Sequence, residues 1–229
     1  MFTSKNFHEH PVLAGYRLAT NRSGSNRNVP DVGGSLVFVV LLGLPLGIVL
    51  FLTGKRQMLA QPFLHNILSL VVNTIRSIPF VILLIVLIPV TVTITGTSLG
   101  VPGAIPPLVI ASTPFFSRLV EASLREVDRG IIEAVQGMGA KAGQLVVFVL
   151  LPEAQPAILA AITVTSIALV SEAAMSGVIG GGGLGDLAIR YGYQRFQPDV
   201  MVITVVLLLI LVQALQWVGD RLVVHFSRR

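Results

Sequence analysis

The chain reads as an all-α polytopic membrane protein with five transmembrane helices per subunit, and three observations carry that reading. Hydrophobic residues fill 53% of its 229 positions and charged residues only 12%, about half the roughly 25% charged share of soluble domains. Several apolar runs approach the roughly 20 residues that a helix needs to cross the hydrocarbon core. The basic residues gather in loops beside those runs, where Lys and Arg set orientation. The net charge of +5 therefore points to a lipid bilayer, and nucleic acid is not expected as a partner. With no cysteine in the chain, disulfides and thiolate metal sites are excluded.

Residues 1–34 form a polar, turn-rich tail without the apolar core of a secretory signal. The first span is expected over Ser35–Leu52, with Gly43-Leu44-Pro45 inside it. A basic turn, Lys55-Arg56, follows. The segment Phe63–Val92 then reads as one helix with an amphipathic first half. Asn66, Ser69, Asn73 and Arg76 recur at spacings of 3, 4 and 3, which places them on one helical face. Its second half, from Ile78, is nearly all apolar and suits lipid. A third span, Ala104–Leu119, contains Pro106, Pro107 and Pro114 and is expected to be broken or tilted. The fourth, Ala154–Met175, is rich in small residues that let membrane helices approach closely. The fifth, Val200–Val218, is the cleanest, and a basic tail of Arg221, Arg228 and Arg229 closes the chain.

Between the third and fourth spans lies a polar island, Glu121–Pro152. Its middle reads Glu133-Ala134-Val135-Gln136-Gly137-Met138-Gly139, and it ends in Val149-Leu150-Leu151-Pro152. Glu133 and Ala134 fall in a short helical stretch between Gly130 and the Gly137/Gly139 pair. Glycine just past a helix accepts the left-handed conformation that closes it. Ala134 leaves room for close approach, and Glu133 can make charge-assisted hydrogen bonds. A docking element is the sharp reading, and a solvated loop with an incidental Glu-Ala pair is the plain one. With the island on the cytoplasmic side, five spans leave the N-terminus outside and the C-terminus inside. That arrangement puts ten Lys and Arg residues inside against six outside, in the sense the positive-inside rule requires.

Gly180-Gly181-Gly182-Gly183-Leu184-Gly185 formally satisfies a dinucleotide-binding glycine pattern. It follows a membrane span and not a strand, so it reads as a tight re-entry where backbones approach closely. No nucleotide site is expected on this chain. Glu172 is the one carboxylate deep in an expected span, beside Ser171 and within reach of Ser166 on the same helix. A mid-membrane acid usually faces a cavity or a partner. Lining of a translocation path, proton coupling, and a simple outer-interface position all remain open for it. His8, His10, His65 and His225 are scattered, so no metal site and no catalytic group are expected.

The island resembles the EAA loop of ABC-importer permeases, with a Gly six positions after the Glu and an aliphatic-x-Leu-Pro close. Beyond it, Arg76-Ser77-Ile78-Pro79-Phe80, Ile94–Gly100, Pro114-Phe115-Phe116-Ser117-Arg118 and Gly180–Tyr193 are similar to the methionine ABC-importer permeases. That resemblance implies the type I importer fold in a bacterial cytoplasmic (inner) membrane. It implies a homodimer around one pathway, with a cytoplasmic ATPase dimer docked inside and an extracytoplasmic methionine-binding lipoprotein outside. D- or L-methionine would be the solute. ATP and Mg would belong to the partner ATPase, with no cofactor on this chain. Coupling to the ATPase would fall on Glu133, Ala134, Gly137 and Gly139, with Leu151 and Pro152 starting the next helix. Val135 and Val149 depart mildly from the broader loop pattern, and Glu172 stands where the family has a less acidic residue. Family members also have a fuller first helix, which makes a misassigned start upstream of Ser35 one reading of the polar tail. Another amino acid or a quaternary amine is the alternative solute, and a proton-coupled carrier using Glu172 is the alternative mechanism.

Overall fold

The computed structural model describes residues 28–55, 57–177 and 180–227, and every element among them is helical. Helix α1, Asn28–Thr53, begins ahead of the expected Ser35. Pro30 lies in its first turn, where the missing N–H has no intrahelical partner to lose. The first span is thus Val32–Thr53, longer than the apolar run alone suggests. The expected tail overlaps this helix, and its residues 1–27 lie outside the described residues.

The long segment expected as one helix is broken. Helix α2, Pro62–Ser77, is followed by extended Ile78 at φ −83 and ψ 126. The ring of Pro79 disfavours helical geometry in the residue before it. Helix α3, Phe80–Val86, leaves at 102° to α2. Through Leu87 it leads to α4, Ile88–Thr95, which Gly96 closes at φ +75. A broken span is what the alternation of an amphipathic and an apolar half becomes once Pro79 separates them.

Helix α5, Gly100–Arg125, is unbroken over 26 residues despite Pro106, Pro107 and Pro114. Packing explains the difference from the expected break. Half of its spanning window is buried, and neighbouring helices can compensate a proline inside a membrane helix. Then come α6, Arg129–Gly137, and α7, Ala142–Glu153, whose middle, Val146–Leu150, is π-helical. Helix α8 is Gln155–Ser176 and α9 is Gly183–Leu187. After a π-helical turn at Ala188–Tyr193, α10 runs Pro198–Ser227 and takes in Arg221 of the basic tail, whose Arg228 and Arg229 lie outside the described residues. Among the described residues four helices (α1, α5, α8, α10) are long and apolar enough to cross a membrane, and the bent pair α2–α3 makes five if it crosses as one broken span.

Glycine decides how closely α1 and α5 pack. A Cβ on Gly47 would meet the Ser117 carbonyl oxygen and Val120 Cβ at 2.7 Å, and one on Gly43 would meet the Phe116 ring at 2.7 Å. Gly43 and Gly47 form a G-x-x-x-G pair, the spacing that lets membrane helices touch backbone to backbone. Around this contact Phe51, Phe116, Val120 and Leu124 form one buried cluster with Ile132, Leu145 and Leu150. A second, formed by Ala104, Leu108, Leu169 and Val170, joins α5 to α8 towards the other end. The glycine-rich stretch is a close approach, as its composition suggests. Added Cβ atoms at Gly177 and Gly185 would run into each other's neighbouring backbone, at 2.6 Å from the Gly185 and Ala174 carbonyl carbons respectively.

Candidate functional site

Helix α6 is built to be held rigidly from beneath. Asp128 caps it, its Oδ1 accepting the Gly130 N–H at 2.9 Å. Val127 before the cap and Ile132 in the first turn are both buried in the main cluster, the arrangement of a hydrophobic staple. At the other end the Gly139 N–H donates to Gln136 O at 2.9 Å and the Ala140 N–H to Val135 O at 3.3 Å. These are the two bonds of a Schellman closure, which needs a left-handed residue, and Gly139 supplies it at φ +81. Gly137 is instead the last helical residue, so only one glycine of the pair closes the helix. The outer face presents Glu133, Ala134 and Gly137. Ile131 at 39% and Met138 at 78% exposure join them, two apolar contributions that the sequence pattern alone did not single out. Leu151 is half-buried and Pro152 exposed where the π-helical turn ends.

A charged network lies beneath this surface. Glu121, at 3% side-chain exposure, accepts from Arg118 Nη1 at 2.6 Å and pairs with Arg125 on its other oxygen. Arg118 Nη2 also donates to Asn73 Oδ1 at 3.1 Å and to the Ser69 carbonyl at 3.3 Å. Two members of the expected polar face, Ser69 and Asn73, therefore tie α2 to α5. Asn66 lines a cavity of about 420 Å³ with Lys55, His65, Arg125 and Arg129 at the base of α6. Arg76 sits higher, its guanidinium 5.7 Å from the centre of the Phe115 ring. Glu121 was not singled out from sequence. Its signal was available in the spacing Arg118, Glu121, Arg125, which stacks three charges on one helical face.

Glu172 lies within the spanning helix α8 and is half-buried. Ser112 of α5 donates its Oγ proton to Glu172 Oε2 at 2.7 Å. The carboxylate lines a cavity of about 380 Å³ that Arg76, Pro79, Phe80 and Phe115 also line. Ser166 and Ser171 are not in that cavity. Each bonds its own helix four residues back, Ser166 to Ile162 O at 2.7 Å and Ser171 to Ile167 O at 3.4 Å. Ser171 lines a separate apolar cavity against α10.

Spanning helices bearing a capped, partly apolar surface helix define a multi-pass membrane protein. The comparisons with known proteins take that class to a family. Residues 43–229 match the family of binding-protein-dependent transport system inner membrane components, and the chain belongs to it. It is 48% identical over 198 residues to the probable D-methionine transport system permease protein MetI of Vibrio cholerae, covering 86% of this chain and 87% of that one. It is also 48% identical to the methionine import system permease protein MetP of Bacillus subtilis, covering 75% and 77%. Among solved structures it matches the inward-facing MetNI methionine ABC transporter with TM-score 0.86 and 44% identity, over 87% of this chain and 92% of that one. An amino acid ABC transporter at 19% identity and TM-score 0.74 shares the fold.

Proposed function

We propose that this chain is the membrane permease of an ATP-driven importer that carries D- and L-methionine inward. The observation that carries the proposal is α6, capped, stapled and closed so that Glu133, Ala134 and Met138 project from a fixed base. High identity to methionine permeases over most of the chain supports the solute. Two copies of the chain surround one pathway, and an ATPase dimer, which holds the ATP and Mg, docks on the two α6 helices. An extracytoplasmic lipoprotein delivers methionine. In this arrangement α6 and the C-terminus face the cytoplasm and the N-terminus lies outside. Closure of the ATPase dimer draws the α6 helices together and tips the spanning helices outward-open, a rigid-body form of alternating access.

Reconstitution of the chain with its ATPase and binding protein in liposomes tests this directly. Saturable methionine uptake that needs ATP and all three components is the expected result. ATP hydrolysis with no methionine movement would keep the importer and discard the solute. Uptake that follows a proton gradient without ATP would overturn the mechanism in favour of a carrier using Glu172.

A further inference from the structure

The cavity of about 420 Å³ at the base of α6 lies where the two spanning helices α1 and α5 end. Phe51 and Leu124, from the last turns of those helices, give it a buried apolar floor with Val127 and Ile132. Lys55, Arg125 and Arg129 also line it, all three exposed, and no Asp or Glu does. Lys55 and Arg129 form no ion pair among the described residues. Arg125 gives one Nη to Glu121, which leaves further donors of a five-donor guanidinium. Gln57 and Asn66 add neutral amide donors. Both ring nitrogens of His65 are engaged, Nδ1 at 3.1 Å from the Leu50 carbonyl and Nε2 at 3.4 Å from Ser69 Oγ, so it contributes wall. Helix α2 continues that wall with Phe63, Ile67 and Leu70, all exposed. Their spacings of 4 and 3 place them on one face, beside Asn66. Cations over an apolar floor, at the end of two spans, suit a ligand with a negative head and an apolar body. Basic pockets between membrane helices bind lipid headgroups on these terms.

We propose that this cavity binds the phosphate-bearing headgroup of an anionic phospholipid. The phosphate lies among Lys55, Arg125 and Arg129, the glycerol over Phe51 and Leu124, and the acyl chains along Phe63, Ile67 and Leu70. The cations stay in contact with water, so the attraction is that of charges at a membrane surface, about fivefold in affinity per Lys or Arg. A free phosphate shares the headgroup chemistry but leaves the apolar floor and stripe unused. A zwitterionic lipid brings an ammonium towards three cations, and like charges repel. The site requires only that α1 and α5 span the bilayer, whatever solute the chain carries.

Native mass spectrometry of the assembled, delipidated protein in neutral detergent tests this, with dioleoylphosphatidylglycerol and dioleoylphosphatidylethanolamine added at equal concentration. The anionic lipid should be retained at least about tenfold more than the zwitterionic one. Lys55→Gln combined with Arg129→Gln should weaken phosphatidylglycerol binding about 25-fold. Lys141→Gln combined with Arg221→Gln removes the same charge at residues outside the cavity and should leave that binding unchanged. Inorganic phosphate in large excess should not displace the lipid. Thermal midpoints in detergent report that each variant is folded, and the comparison of the two lipids needs no variant. Equal retention of both lipids, or equal loss in both double variants, would reduce the effect to general surface charge and overturn the site. Displacement by inorganic phosphate would make the ligand a free anion and overturn the lipid. An assembled protein that retains neither lipid also overturns it, the outcome expected if a partner subunit fills the cavity.

Discussion

Single residues set the conformation of α6, the proposed docking surface. Gly139 holds φ +81 with nothing within 4 Å of an added Cβ, so its requirement is conformational and not steric. A β-branched side chain there costs about 1–3 kcal/mol of local strain. Gly139→Val should therefore reduce ATPase co-purification and coupled hydrolysis while membrane insertion stays normal, and unimpaired uptake would count against α6 as the docking element. Gly137 is the informative contrast, being helical and open to added atoms. Gly137→Ala should leave thermal stability equal or raised by roughly 0.5–1 kcal/mol, so any loss of ATPase binding would report contact and not folding. Glu121 is the residue with most to lose. Glu121→Gln leaves Arg118 with only neutral acceptors, the Ser69 carbonyl and Asn73 Oδ1 among them, at roughly 3 kcal/mol, the lower end for a broken buried pair. Arg125→Gln, at an arginine 58% exposed, should cost under about 1 kcal/mol. Thermal midpoints in detergent that reversed this order would mean that Arg125 and not Arg118 holds the carboxylate.

Between elements, the α1–α5 contact and the break after α2 are the two decisive features. Both follow from proline and glycine, yet with unequal legibility. Pro79 breaks a span, whereas Pro114 does not interrupt α5. The physical difference is company. Pro114 lies in a helix packed on α1, α2 and α8. At the α1–α5 contact, Gly47 faces a backbone carbonyl and a β-carbon, neither of which can swing away, while Gly43 faces mainly the Phe116 ring. Gly47→Val should separate the two helices and destabilise by about 1–3 kcal/mol, more than Gly43→Ala. Intact stability in Gly47→Val by thermal denaturation in detergent would show that the helices are not packed this closely.

At the scale of the whole molecule the proposed topology puts α6 on the cytoplasmic side, and the chain offers a clean way to test it. The native sequence has no cysteine, so single introduced cysteines report sidedness without background. Met138→Cys should react with an impermeant maleimide only from the cytoplasmic side, and Gln194→Cys only from outside. The reverse pattern would invert the topology and place α6 away from any ATPase. Sequence alone determined the membrane class, the spans at α1, α5, α8 and α10, and the helix–glycine pattern of α6. These depend on local composition and periodicity, which every residue carries with it. It also marked Glu172, because an isolated acid in an apolar run stands out without any fold. Tertiary structure decided what those features meet. Only packing brings Arg118 to Asn73, across 45 residues of chain, or Ser112 to Glu172 across 60. Only packing, too, decides that one proline bends a span while another is carried within an unbroken helix. Long-range partners are set by how helices stack, and helix stacking is a property of surfaces that no short stretch of sequence contains.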